Sequence, residues 1–227
     1  MLSDVLRAEP TGLPSWLRAA VVAWCIFWFA AYYEYFGWQF VLWFCCMANM
    51  YVMVGCITNK ALWFSLAAIA ALGVQALYTL DFAALCILGE SPTGATAYML
   101  DENRPLWLRG LSLFHVWMPA LMVFAIHKLG YDRRALWIQT PLALCILPLC
   151  YFAFDPALQT NDPIFPMMGG VPFDRDFNIN WVHAFYDRPE PKIGTRRLWA
   201  MLIGYPLLIH WPTHWVLSRT SRDIVVA

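Results

Sequence analysis

ALWFSLAAIAALGVQALYTLDFAALCIL, residues Ala61 to Leu88, decides the class of this chain: in 28 positions Asp81 is the sole Asp, Glu, Lys or Arg. A bilayer core about 30 Å thick takes roughly 20 mostly apolar residues per crossing helix. The stretch exceeds one upright crossing, so it either tilts or leaves the core from about Asp81 and follows the interface.

The rest of the chain repeats the theme. Of 227 residues 61% are hydrophobic and 13% charged, with a mean hydropathy of +0.53. That is too little charge to clothe a water-soluble fold of this size. Upstream, Pro14 and Ser15 open a span over 16–36, Gly37 breaks it, a second span covers 38–57, and Asn59 and Lys60 mark the next turn. The third span is placed over 61–82, ahead of the polar segment Gly89 to Pro105. Spans over 107–129 (Pro119 as an expected kink), 135–154 and 198–217 follow, with a Pro- and Gly-rich loop at 155–195 before the last. The prediction is an all-α polytopic membrane bundle of about six transmembrane helices. It forms a single membrane domain, 1–227, with one long extramembrane loop. The polar start leading into a full span reads as an uncleaved signal anchor. Lys60, Lys128, Arg133, Arg134 and Arg219 gather on one side, which favours N-in and C-in.

Several function classes are excluded. Zero formal net charge offers no basic patch for nucleic acid. The seven cysteines lack zinc or redox spacing and read as small buried hydrophobes. There is no nucleophile elbow, phosphate loop or dinucleotide fingerprint, and five histidines are too few for the boxes of di-iron desaturases.

Ionisable groups at membrane depth are costly and mark candidate sites. Here they are Asp81, His115, His210 and His214. His210 and His214, four apart, share a helix face and are the right kind of pair to ligate one metal. With His115 and Asp81 they make three imidazoles and a carboxylate, a set suited to zinc and to activating water. Asp81, His115 and His214 are the candidate catalytic residues, and His115, His210 and His214 the candidate metal ligands, with haem a lesser alternative to zinc. At 1.5 Å per residue, His115 falls about 12 Å below the outer end, His210 about 18 Å and His214 about 24 Å, so one shared site is not assured. The competing reading is structural: each histidine hydrogen-bonds across helices, and Asp81 pairs with Arg104 or Arg109. The set resembles, loosely, the intramembrane hydrolases of the alkaline-ceramidase and adiponectin-receptor type. It departs from them in placing Ser112 three residues before His115 and in having six spans.

A closer resemblance rests on LDF (Leu80 to Phe82), AYMLDENRPLWLRGLSLFHVWMPAL (Ala97 to Leu121), LGYDRRAL (Leu129 to Leu136), NINWV (Asn178 to Val182) and PTHWVL (Pro212 to Leu217). These stretches are similar to a group of bacterial polytopic proteins labelled only as membrane-associated. The resemblance implies an integral protein of the bacterial inner membrane and carries no activity. It adds Asp101, Arg109, Asn178 and Asn180 to the candidate site residues, and in its pattern His210 is not a histidine position. Three functions are consistent with these readings. One is an enzyme acting on a lipid-like substrate at an outward-facing pocket, closed by the 155–195 loop. The others are a non-catalytic subunit or assembly factor of a larger membrane complex, and a small-solute transporter. The bilayer is the one partner the composition itself demands.

Overall fold

A computed structural model describes residues 12–102, 104–153, 179–182 and 195–221. Helix α1 (Ser15–Phe36) begins after Pro14 and stops at Gly37, whose φ of 68° is a left-handed setting that side chains disfavour. The second span begins later than the sequence suggests. Trp38–Leu42 forms a tight 3-10 turn and Trp43 is extended, so α2 is only Phe44–Thr58. The turn lets Phe40 bury itself completely against Trp28 and Tyr32 instead of extending the helix.

Asn59 then reverses the chain in a left-handed conformation, its N–H bonded to the Gly55 carbonyl at 2.8 Å. Its side-chain oxygen accepts the Leu13 N–H, and the Arg18 guanidinium donates to the Cys56 and Ile57 carbonyls. The otherwise orphaned end of α2 is thereby satisfied. A Cβ on Gly55 would lie 2.8 Å from the Phe64 ring, so this hairpin closes only around glycine.

Helix α3 (Ala61–Leu88) is continuous through a π-helical turn at Ala68–Leu72. It does not break at Asp81, and 28 residues at 1.5 Å each give about 42 Å, which requires tilt or protrusion. Helix α4 (Leu106–Leu129) is interrupted at Ser112–Leu113, not at Pro119, which stays inside the helical segment Phe114–Leu129. Helix α5 (Arg134–Ala153) follows a short turn. Helix α6 runs without interruption through Arg196–Gly204, a π-helical Tyr205–His210 and Trp211–Thr220.

Helices α1, α3, α4 and α5 are each long and apolar enough to cross a membrane, whereas α2 is shorter. Leu77, Leu80, Ile87, Trp137, Phe152, Trp199 and Leu208 project outward, an arrangement suited to lipid and costly in water. The chain is a helical membrane bundle. Its larger core joins α1 to α4; a smaller one joins Phe44 and Met47 to α5, Ile179, Val182 and Leu198. The run Ala67–Ala71 is essentially solvent-free, and small side chains there let helices approach closely. Gly73 faces Ile209 and Thr213, which brings the π turns of α3 and α6 to the same part of the bundle.

Candidate functional site

Asp81 lies near the C-terminal end of α3 and is 4% exposed. After Gly89 closes the helix with φ 76°, the chain folds straight back onto this carboxylate. One oxygen accepts the Thr93 N–H at 2.7 Å; the other accepts the Ser91 hydroxyl, the Thr96 N–H at 3.0 Å and the Thr96 hydroxyl at 2.6 Å. A buried carboxylate is affordable when its lone pairs are filled this way. The arginines expected to pair with Asp81 are used elsewhere: Arg104 reaches Asp101 and lies over the Tyr98 ring, and Arg109 donates to the Met99 carbonyl at 2.7 Å. Asp81 therefore shapes the segment that follows α3, holding Ser91, Thr93 and Thr96 as a roof over this end of the bundle.

Next to that roof, two pairs of hydroxyls lie around the start of the second segment of α4, which carries His115. The interruption in α4 leaves the Ser112 carbonyl available, and His115 Nδ1 meets it at 2.8 Å. A carbonyl only accepts, so Nδ1 carries the proton and, in the neutral ring, Nε2 keeps its lone pair. The imidazole is stacked between Tyr78 and Phe114, with centroids 4.4 and 3.9 Å away. The Ser112 hydroxyl meets that of Tyr32 at 3.1 Å, and the Tyr78 and Tyr98 hydroxyls meet at 2.6 Å. The Cys45 thiol, in the first turn of α2, meets the Cys46 thiol at 4.0 Å. Burial pushes the Tyr98 hydroxyl up in pKa, so it stays a neutral donor.

The remaining candidates serve other places. His210 is fully buried with Nδ1 at 3.0 Å from the Thr140 hydroxyl of α5. His214 Nδ1 lies 2.8 Å from the hydroxyl of fully buried Tyr131, in the turn between α4 and α5. The two rings leave α6 toward different elements, which separates the expected metal pair. Among the described residues no three His, Cys, Asp or Glu side chains come together to hold a metal, and no hydrogen bond joins Asp81 to a histidine. Beside Tyr131, the Asp132 N–H donates to Ser65 and its carboxylate takes a fork from Arg134 at 2.7 to 3.2 Å. Those charge-assisted bonds hold the Asp132 carboxyl below its ordinary range.

Asn180 explains the late start of α2. In a left-handed conformation, it accepts the Phe44 N–H at 3.0 Å and donates to the Leu42 carbonyl at 2.8 Å. Its amide thus replaces the backbone partners lost where the extended Trp43 interrupts the chain. Asn178 and most of the 155–195 loop lie outside the described residues. The sequence reading did not single out Tyr32, Cys45, Tyr78 or Tyr98. Their only sequence signal is a phenol or thiol at membrane depth, which is indistinguishable from packing without a partner in view.

No family model, curated protein or solved structure matches the chain.

Proposed function

We propose that this is a multi-pass protein of the bacterial cytoplasmic membrane, with both termini inside, whose outer-half centre at His115 acts on a lipid-like substrate. The observation that carries the reading is the state of its imidazole. Nδ1 is fixed by a backbone carbonyl, and the ring is stacked against Tyr78 and Phe114. That is the arrangement of a general base whose tautomer is set in advance. Asp81, Asn180 and His214, by contrast, take partners that hold chain segments together. Placement in the outer half, below a roof and within reach of lipid, favours a substrate delivered by the bilayer. The proposed membership of the bacterial membrane-associated group fits this location.

Comparing the lipids of membranes from cells carrying the wild type and His115→Gln, by mass spectrometry, tests the reading. The expected result is one lipid class that changes with the wild type and not with the variant. Identical profiles would overturn it. Zinc at His115 is a separate proposal, tested by metal analysis of detergent-purified protein: stoichiometric zinc, lost in His115→Ala, would support it. A non-catalytic subunit is the second reading, favoured by the exposed Leu207, Leu208, Trp211 and Trp215 along α6. Co-purification of fixed partners together with unchanged lipids would support it.

A further inference from the structure

We infer that Arg109 anchors the phosphate of a glycerophospholipid on the open edge of its guanidinium, with the ester region of the lipid extending toward His115. The inference rests on the reading of His115 as a working centre. It adds the class of lipid that the centre takes.

The Arg109 guanidinium is fixed in place and half used. Nη1 donates to the Met99 carbonyl at 2.7 Å, while Nε is buried without a partner. Among the described residues Nη2 has no acceptor either. The nearby carboxylates are engaged elsewhere or face water: Asp81 is filled by Ser91, Thr93 and Thr96, Asp101 holds Arg104, and Glu102 is exposed. The empty edge, Nε with Nη2, is the one that Arg134 turns on Asp132, with Nε 3.0 Å from Oδ1 and Nη2 2.7 Å from Oδ2. Such a fork matches the oxygens of a carboxylate or a phosphate. A charged donor that water does not reach is costly without an acceptor, so the acceptor has to arrive with a bound group.

The backbone sets this edge in line with His115. Arg109 lies in the first segment of α4, beside Leu106 and Trp107, which are 75% and 51% exposed on the apolar surface of the bundle. The Ser112 N–H donates to the Arg109 carbonyl at 3.1 Å, and the His115 N–H to the Ser112 carbonyl at 3.2 Å. Bonds between residues three apart are those of a 3-10 turn, in which such residues eclipse, so Arg109, Ser112 and His115 fall in one line along α4. At 1.5–2.0 Å per residue that line is about 9–12 Å long. The His115 ring leans back along it, because Nδ1 meets the Ser112 carbonyl. Arg109 is near the end of the span and His115 further in. A glycerophospholipid carries its groups in the same order, with the phosphate at the interface and the ester bonds several bonds deeper. A fatty-acid carboxylate on Arg109 would leave only hydrocarbon beside His115, where a base has nothing to act on. Phosphate is therefore the anion that fits both residues.

The test uses the full chain in detergent micelles, titrated with dioleoylphosphatidylglycerol, dioleoylglycerol, oleate or glycerol 3-phosphate, with binding read by native mass spectrometry. The wild type should hold phosphatidylglycerol at least tenfold more tightly than any of the other three. Arg109→Gln should lose at least tenfold for phosphatidylglycerol and nothing for dioleoylglycerol, while His115→Gln binds as the wild type does. Arg109→Lys guards against misfolding: it keeps the charge and a donor for Met99 but has no fork, and should bind at least threefold more weakly. Undiminished binding of phosphatidylglycerol by Arg109→Gln or Arg109→Lys overturns the inference. So does glycerol 3-phosphate or oleate bound as tightly as phosphatidylglycerol, since the ligand is then a soluble phosphate or a carboxylate. If cellular lipid profiles follow His115 yet phosphatidylglycerol binds without Arg109, only this inference falls. If the profiles ignore His115 while binding still depends on Arg109, the reading of the centre falls and the phosphate site stands.

Discussion

His115 and His214 make the most instructive pair in this molecule. Both are imidazoles at membrane depth, and both have Nδ1 within 2.8 Å of an oxygen. For His214 the oxygen is the hydroxyl of Tyr131, a fully buried residue on another element, so the contact ties α6 to the turn before α5. For His115 the oxygen is a carbonyl three residues away on the same helix, so the contact ties no helices together and only orients the ring. One histidine is a cross-brace. The other is positioned and left with a nitrogen to use. Within this pair the roles divide: a bond to another element holds segments together, and a bond to the ring's own helix sets its tautomer and leaves the second nitrogen for chemistry.

The sharpest way to break that division is to remove a satisfied group and see whether the structure suffers. Asp81→Ala should have the largest effect. It strips four donors of their acceptor, and charge-assisted bonds contribute about 1.5–3 kcal/mol each, non-additively, so a loss of about 3 kcal/mol or more is expected. Thermal unfolding in detergent should show it, along with faster proteolysis within 89–105. Asn180→Ala comes next, at about 1–2 kcal/mol, because a cap across the chain break is lost. Tyr131→Phe should cost about 0.6 kcal/mol, the usual worth of one interhelical bond in a membrane protein.

The smallest effect concerns acid. Arg134 holds the Asp132 carboxyl below its ordinary range, so folding favours the ionised form. That stabilisation is full above the unfolded carboxylate value of about 3.9 and is lost as pH falls through that value toward the depressed folded one. Melting curves taken from about pH 6 to pH 3 should therefore decline less steeply for Asp132→Asn than for the wild type.

Much of the architecture was legible beforehand because lipid leaves so few choices. Apolar runs of sufficient length must be helices, and α1, α3, α4 and α5 follow them. The start of α2 was not legible. Nothing in Trp38–Leu42 is polar enough to announce a break except Gln39, and the partner that stabilises the break, Asn180, is 136 positions away from Phe44. The same distance effect hid the site. Asp81 and His115 stood out as charges in apolar sequence, yet their roles depend on partners that sequence spacing does not reveal. The Ser91, Thr93 and Thr96 donors read as an ordinary polar loop, and Cys45 read as one buried cysteine among seven. His210 and His214 misled for a related reason. Helical spacing places them on one face, but Thr140 and Tyr131 draw their rings toward different elements.

The account stands most directly on a paired measurement: melting temperatures of His115→Gln and His214→Gln, purified side by side in the same nanodiscs. A positioned but structurally spare His115 predicts that its variant melts close to the wild type while the His214 variant melts clearly lower. A His115 variant that loses as much as, or more than, the His214 variant would show that His115 is one more brace, and would contradict the assignment of a working centre to His115.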